Sequence, residues 1–300
     1  MNTIEAFEKD ILSQVRFVDG FIPQKTLAKK KQTSAVFCGS GDSLAAAMLA
    51  QSFSDYAVTA ADPLELSKNS KIAGSKTVYF VSVSGNTIAN IRASGLVKDS
   101  VAITRNRVSR LAKSCRGVIP LDYPDSGVFT AGSVGFVASA LVCISLVRKF
   151  RIRNAKRLLL RAKGEAERAL VGGRVFFVGD QNSYPVAMYA AAKMYEVAGV
   201  DAHYARLEQF FHMEMFCAKK NDTVVIFCDT KDHDMVKRLQ GLGLFVYWPV
   251  AGTDDPVERV LYHVFVSQHL ALGVAKKKRQ KDCHFILQEK LRGASSETIY

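Results

Sequence analysis

Between residues 77 and 97 the chain passes from an apolar run, TVYFV, through Ser82, Val83, Ser84, Gly85, Asn86 and Thr87 into a helical pattern, IANIRASGLV. A strand that delivers such a turn to a helix N-terminus offers an anion free backbone N–H groups and the positive end of the helix dipole. The hydroxyls of Ser82, Ser84 and Thr87 add donors, and Gly85 permits close backbone approach. Three hydroxyls around one glycine exceed what helix capping requires, so a phosphate group is the expected ligand. An earlier turn, Gly39-Ser40-Gly41-Asp42-Ser43, has the same setting, although capping explains it equally well. In a parallel sheet Ser40 and Gly41 would open on the same C-terminal edge as SVSGNT. Neither turn fits a GxxxxGK[ST] loop or a GxGxxG fingerprint, so no nucleotide cofactor is expected.

Candidate acid–base groups stand in the second half. Glu196 closes an Ala-rich helical pattern, YPVAMYAAAKMYE, where partial burial would raise a carboxyl toward the working range of a general base. His212 lies in LEQFFHMEMF, among Phe210, Phe211 and Met213, a setting that suits a packed histidine as well as a catalytic one. Glu208, four residues earlier, can share its helical face and orient the imidazole. Glu208 and Glu214 remain alternative bases. His203, His233, His263, His269 and His284 show no metal-ligand spacing and are read as structural. The six cysteines show no CxxC spacing and are read as buried thiols, so no metal is expected.

The elements that position these groups are short apolar runs alternating with helical patterns, the mark of a parallel α/β sheet. Strands are expected at 34–38, 77–81, 101–104, 118–120, 174–178, 222–228 and 244–248, and a helix at 261–275. The basic stretch from Val147, VRKFRIRNAKRLLLRAKGEAERAL, carries apolar residues at helical spacing and ends before Gly172 and Gly173. The two halves look like copies. VFCGSGDSLAAAMLA resembles FFVGDQNSYPVAMYAAA, with Gly39 and Gly179 lying 140 residues apart, and TVYFVSVS from Thr77 matches TVVIFCDT from Thr223.

At these residues the chain resembles the SIS (sugar isomerase) domain family, whose hallmark is a strand, an SxSGxT turn that holds a sugar phosphate, and a helix. The resemblance runs from about Ser34 to the C-terminus. It implies two tandem SIS-type, doubly wound α/β domains with parallel sheets: a helical segment at 1–33, a first domain at 34–160 and a second at 161–300. Tyr184 to Glu196 is similar to the stretch that ends on the catalytic glutamate in the isomerase domain of glucosamine-6-phosphate synthase. His212 follows sixteen residues later, the family's separation between base and ring-opening histidine.

Carried over, Glu196 would move a proton between C1 and C2 of an open-chain sugar, and His212 would assist ring opening from a neighbouring subunit, implying a homodimer with shared sites. Ser40, Gly41, Ser82, Ser84, Gly85, Asn86 and Thr87 would hold the phosphate, and Lys290 in the tail LQEKLRGASSETIY would enter the site. Asn86 brings the turn closer to archaeal-type phosphoglucose/phosphomannose isomerases than to the synthase. Where many relatives carry an Arg or Lys facing the enediolate, this chain reads TAGSVGF (residues 130–136). A glucosamine-6-phosphate deaminase and a non-catalytic sugar-phosphate sensor are the competing expectations.

With 300 residues, 48% hydrophobic, and a formal charge of +13, the chain excludes disorder and favours anionic partners. KKKRQK (residues 276–281) reads as a solvated helix end. No basic–aromatic interleaving is present, so nucleic acid is not an expected partner. The apolar run at 134–147 is too short to span a bilayer, and MNTIEAFEKD lacks a secretory pattern, so the expected location is the cytoplasm.

Overall fold

Strands form where short apolar runs can be covered on both faces. In the computed structural model of the chain, in which residues 1–228 and 232–300 are described, AVFC forms β1 (Ala35–Cys38) with every residue buried. It is followed by β2 (Thr59–Ala61), β3 (Thr77–Val81), β4 (Asp99–Thr104) and β5 (Gly117–Pro120). These pair in parallel in the order β2-β1-β3-β4-β5. A second parallel sheet contains β6 (Val175–Gly179), β7 (Ala202–Arg206), β8 (Thr223–Ile226) and β9 (Phe245–Tyr247), in the order β7-β6-β8-β9. Helices connect successive strands, as parallel pairing demands.

Each sheet reverses direction at its first strand, with β1 between β2 and β3 and β6 between β7 and β8. Such a reversal opens a crevice beyond the C-terminal strand ends, where ligands of α/β sheets bind. The turns after β1 and β6 also share a steric demand. A Cβ on Gly39 would stand 2.7 Å from the carbonyl carbon of Ser43, and one on Gly179 would stand 2.6 Å from that of Ser183. In both turns the backbone four residues on occupies the space.

The chain divides into two compact units. The first sheet belongs with residues 20–124, 134–151 and 289–300, around a core that includes Val36, Cys38, Val78, Phe80 and Leu111. The helix Val134–Val147 of this unit has all its residues buried, and Gln32 Nε2 donates to the Val147 carbonyl at 3.0 Å. The second sheet belongs with residues 1–19, 125–133 and 152–288, around Phe176, Val178, Val224, Ile226 and Leu239. Its helix Thr3–Asp19 is tied to the helix Pro256–Lys277 by the buried pair Gln14–Gln268, whose amides exchange hydrogen bonds of 2.8 and 3.1 Å.

Two features differ from the sequence expectation. The helix expected from Val147 starts at Ala155 and ends at Arg168, preceded by a non-helical segment in which Phe150 stacks on Phe21 at 6.1 Å. Strands β2 and β7 occur where none was expected. Asp229 and Thr230, part of the repeated TVVIFCDT, lie outside the described residues. Among the described residues no helix is long and apolar enough to cross a membrane.

Candidate functional site

β3 carries the chain to Ser82 at the sheet's C-terminal edge, where the Ser82 N–H donates to Ile103 O at 3.0 Å. There the chain turns tightly. Ser82 Oγ accepts from Gly85 N at 3.2 Å and lies 3.4 Å from Thr87 Oγ1, while Ser84 Oγ accepts from Asn86 N at 3.2 Å. Thr87 holds the N-cap position of the helix Ile88–Ser94, but its side chain makes no capping hydrogen bond. Capping therefore does not account for that hydroxyl. Because β1 is the parallel neighbour of β3, the turn with Ser40 and Gly41 leaves the same sheet edge beside it.

Gly85 is demanded by the turn itself. Its φ is +66°, and a Cβ would fall 2.1 Å from Ser109 Oγ and 2.9 Å from Thr104 Oγ1. Gly85→Ala is expected to lower stability by about 2–4 kcal/mol, from a left-handed backbone plus overpacking. Urea unfolding measures this; a loss below about 0.5 kcal/mol would mean that the turn relaxes freely. Thr104 at the end of β4 and the segment 105–109, which sequence reasoning passed over, complete the surroundings. Thr104 Oγ1 and Arg105 N donate to Val83 O at 3.2 and 3.1 Å, and the Arg105 guanidinium lies over the Tyr123 ring at 4.6 Å. The only signal for Arg105 was its place just after an apolar run at a strand's C-terminal end.

In the other unit, the helix Tyr184–Lys193 runs on into a π-helical turn, Met194–Ala198, that ends on Gly199 at φ +59°. Single π turns are frequent at functional sites. This one carries Glu196, 38% exposed at its side chain, and Glu196 Oε2 lies 2.5 Å from Nζ of the wholly buried Lys193. Lys193 Nζ also sits 4.9 Å from the centre of the Tyr189 ring. Lys193 was missed in the sequence because a lysine in an Ala-rich helix ordinarily reaches solvent. Its spacing of three from Glu196 was the available clue.

His212 ends the helix Leu207–His212, with Nε2 3.1 Å from Glu208 Oε1 and both side chains well exposed. Phe210 supplies the packed member of this segment, 1% exposed and 5.7 Å from Phe176, so the imidazole faces solvent. Glu214 Oε2 is buried with no hydrogen-bond partner among the described residues. Thr130, in the segment without a cation, donates to Thr3 O at 3.1 Å, and Tyr189 OH donates to Gly132 O at 2.8 Å. Lys290 is exposed on the helix Glu289–Ile299. The structure thus brings Ser82, Ser84, Gly85, Asn86 and Thr87 into one turn and Ser40 and Gly41 to the same edge. Lys290 belongs to that unit, Glu196 and His212 to the other.

Among the described residues no group of three or more His, Cys, Asp or Glu is placed to hold a metal. All six cysteines are free; Cys217 is exposed, whereas burial pushes the Cys38 and Cys143 thiols far up and removes them as nucleophiles.

No family model matches the chain, and no curated protein matches it. Solved structures do. A glucosamine-6-phosphate deaminase from Thermotoga maritima superposes with a TM-score of 0.70 at 18% identity, covering 93% of this chain and 95% of that one. The tagatose-6-phosphate ketose/aldose isomerase of Escherichia coli gives 0.69 at 14% identity over 91% and 92%. The C-terminal domain of glucosamine-fructose-6-phosphate aminotransferase from Francisella tularensis gives 0.65 at 16% identity over 90% and 95%. The chain therefore has the α/β, SIS-like fold found in these proteins, with parallel sheets flanked by helices.

Proposed function

We propose that the chain is a sugar-phosphate aldose–ketose isomerase of two tandem, doubly wound SIS-type domains that arose by duplication. Its substrates would be glucose 6-phosphate and fructose 6-phosphate, with mannose 6-phosphate a further candidate. The observation that carries the reading is the carboxylate of Glu196 held 2.5 Å from a wholly buried lysine, on a fold shared with sugar-phosphate enzymes.

Aldose–ketose exchange needs a phosphate anchor, a base, a group at the ring oxygen and positive charge near the enediolate. Ser40, Ser82, Ser84, Asn86 and Thr87 supply the anchor, with Lys290 as a second contact. Glu196 takes the C2 proton of the open-chain aldose while the C1 carbonyl oxygen takes a proton from solvent, giving the cis-enediol. It returns its proton to C1 as the C2 hydroxyl gives up its proton to solvent and becomes the ketose carbonyl. Lys193 orients that carboxylate and supplies a positive charge that residues 130–136 lack. His212, from a second subunit of a homodimer, assists ring opening. The likeness to the Thermotoga deaminase favours deamination of glucosamine 6-phosphate as the second reading.

A coupled assay with EDTA present, converting fructose 6-phosphate to glucose 6-phosphate, tests the proposal. Turnover supports it. Ammonia release from glucosamine 6-phosphate without isomerisation selects the deaminase, and ligand-induced thermal shifts without turnover leave a sensor. Ser84→Ala is expected to raise KM about tenfold through the loss of one hydrogen bond to a charged phosphate. An unchanged KM would remove Ser84 from the anchor.

A further inference from the structure

We infer that residues 278–284 act as a strap that positions Glu196; the inference rests on the reading of Glu196 as the base. The π turn that carries Glu196 leaves its last carbonyls without onward helical partners. Protein side chains take them up. Lys278 Nζ donates to Ala198 O at 2.9 Å, and Gln280 Nε2 donates to Val197 O at 3.3 Å. The imidazole of His284 closes on the residue that ends the turn: a Cβ on Gly199 would stand 2.4 Å from His284 Cγ. Three side chains from one short stretch therefore fix the three residues that follow Glu196.

The strap is itself built for this place. After the helix Pro256–Lys277 the chain reverses through Arg279 at φ +56°, a left-handed conformation that is strained for a residue with a Cβ. Gln280 N donating to Ala275 O at 3.0 Å closes the reversal. Farther on, Asp282 accepts from Thr3 N at 3.0 Å and Thr3 Oγ1 at 2.9 Å, and Cys283 N donates to the same hydroxyl at 2.8 Å. The strap is thus anchored independently of the turn it holds. Tyr195 is exposed, but Val197 and Ala198, whose carbonyls the strap takes up, are buried, so the strap and not solvent satisfies them. A lysine delivered through a strained reversal does more than satisfy them: it limits the rotation of the turn, and that rotation sets where the Glu196 carboxylate stands relative to Lys193.

The test uses the full chain with Lys278→Met and Gln280→Ala combined. Amide hydrogen exchange at residues 194–200 is expected to rise about tenfold or more while protection elsewhere holds, because a local clamp controls local opening. kcat is expected to fall about 10- to 100-fold with KM within about twofold, as for a misplaced catalytic group. Lys278→Arg, which keeps the donor, is expected to recover most of that rate. Unchanged exchange at 194–200 would overturn the strap. So would faster exchange with kcat unaltered, or a loss of protection spread over the whole unit. Glu196→Gln is run alongside: full activity there would defeat the base assignment itself, while inactivity with an indifferent Lys278/Gln280 variant would defeat only the strap.

Discussion

Glu196→Gln is expected to lower kcat at least about 10³-fold, within the range that general acid–base catalysis contributes, while sugar-phosphate binding stays within about threefold. Glutamine preserves the volume and a carbonyl oxygen for the Lys193 hydrogen bond, so the π turn and the fold should persist. What disappears is the proton acceptor. Lys193→Met is the complementary change. It replaces a wholly buried ammonium with an apolar side chain of similar length and leaves Glu196, 38% exposed, to be solvated instead. The cost should fall on kcat, about 10²-fold, as for the loss of one preorganised charge beside a reacting centre. Because the two residues act as one unit, the double variant should be no slower than Glu196→Gln alone. Single-turnover kinetics with calorimetric binding checks all three. If Glu196→Gln keeps more than about a tenth of the parent rate, the base contribution is absent and Glu208 and Glu214 become the next candidates.

The interior strands β1, β3, β4, β6 and β8 are legible as short apolar runs, because both faces and both edges are occupied by protein. β2, β5, β7 and β9 are edges; β5 and β9 still announce themselves by a short apolar run, whereas β2 and β7 do not. In β7, Ala202 and Ala205 are buried while Tyr204 and Arg206 are exposed, so AHYAR carries neither an apolar run nor a strict alternation. That residues 1–19 belong with the second sheet was equally hidden, since the Gln14–Gln268 pair joins residues 254 positions apart and each glutamine alone looks like a surface residue. Among the candidate site residues, the SVSGNT hydroxyls were singled out by residue type and spacing, and Glu196 by the resemblance to the sugar isomerase family. Lys193 was not, because burial of an ammonium is decided by its surroundings. Lys278 and Gln280 were likewise lost inside KKKRQK, whose excess of charge suggested a merely solvated helix end. Their hydrogen bonds depend on a chain reversal at Arg279, a residue type with no left-handed preference to announce it.

Two buried histidines on the long helix Pro256–Lys277 are expected to make the stability of the protein sensitive to acid. His263 is 3% exposed, with its ring stacked on Phe227 at 4.8 Å and Nε2 3.3 Å from Pro249 O. Burial pulls its pKa down from 6.5 to about 4 against that hydrogen bond, and Arg259 lowers it further. His269, 7% exposed, is likewise drawn down to about 4 by burial and then by Lys163, with Lys276 adding to the effect and Glu8 opposing it. The unfolded chain takes up protons at both positions as pH falls below 6.5, but the folded chain refuses them until about 4. Their contribution to stability is therefore full above pH 6.5 and is lost progressively down to pH 4. Between pH 7 and pH 5 each histidine should cost about 2 kcal/mol, so urea unfolding should show a loss of about 4 kcal/mol. Asp10 acts in the opposite sense. Burial raises its carboxyl above 3.8 despite the Ser126 hydrogen bonds, so it restores stability only as pH falls through that raised value. The decisive comparison is the double variant His263→Gln, His269→Gln, in which the dependence between pH 7 and pH 5 should flatten even if overall stability drops. An undiminished slope in that variant would place the sensitivity in other groups.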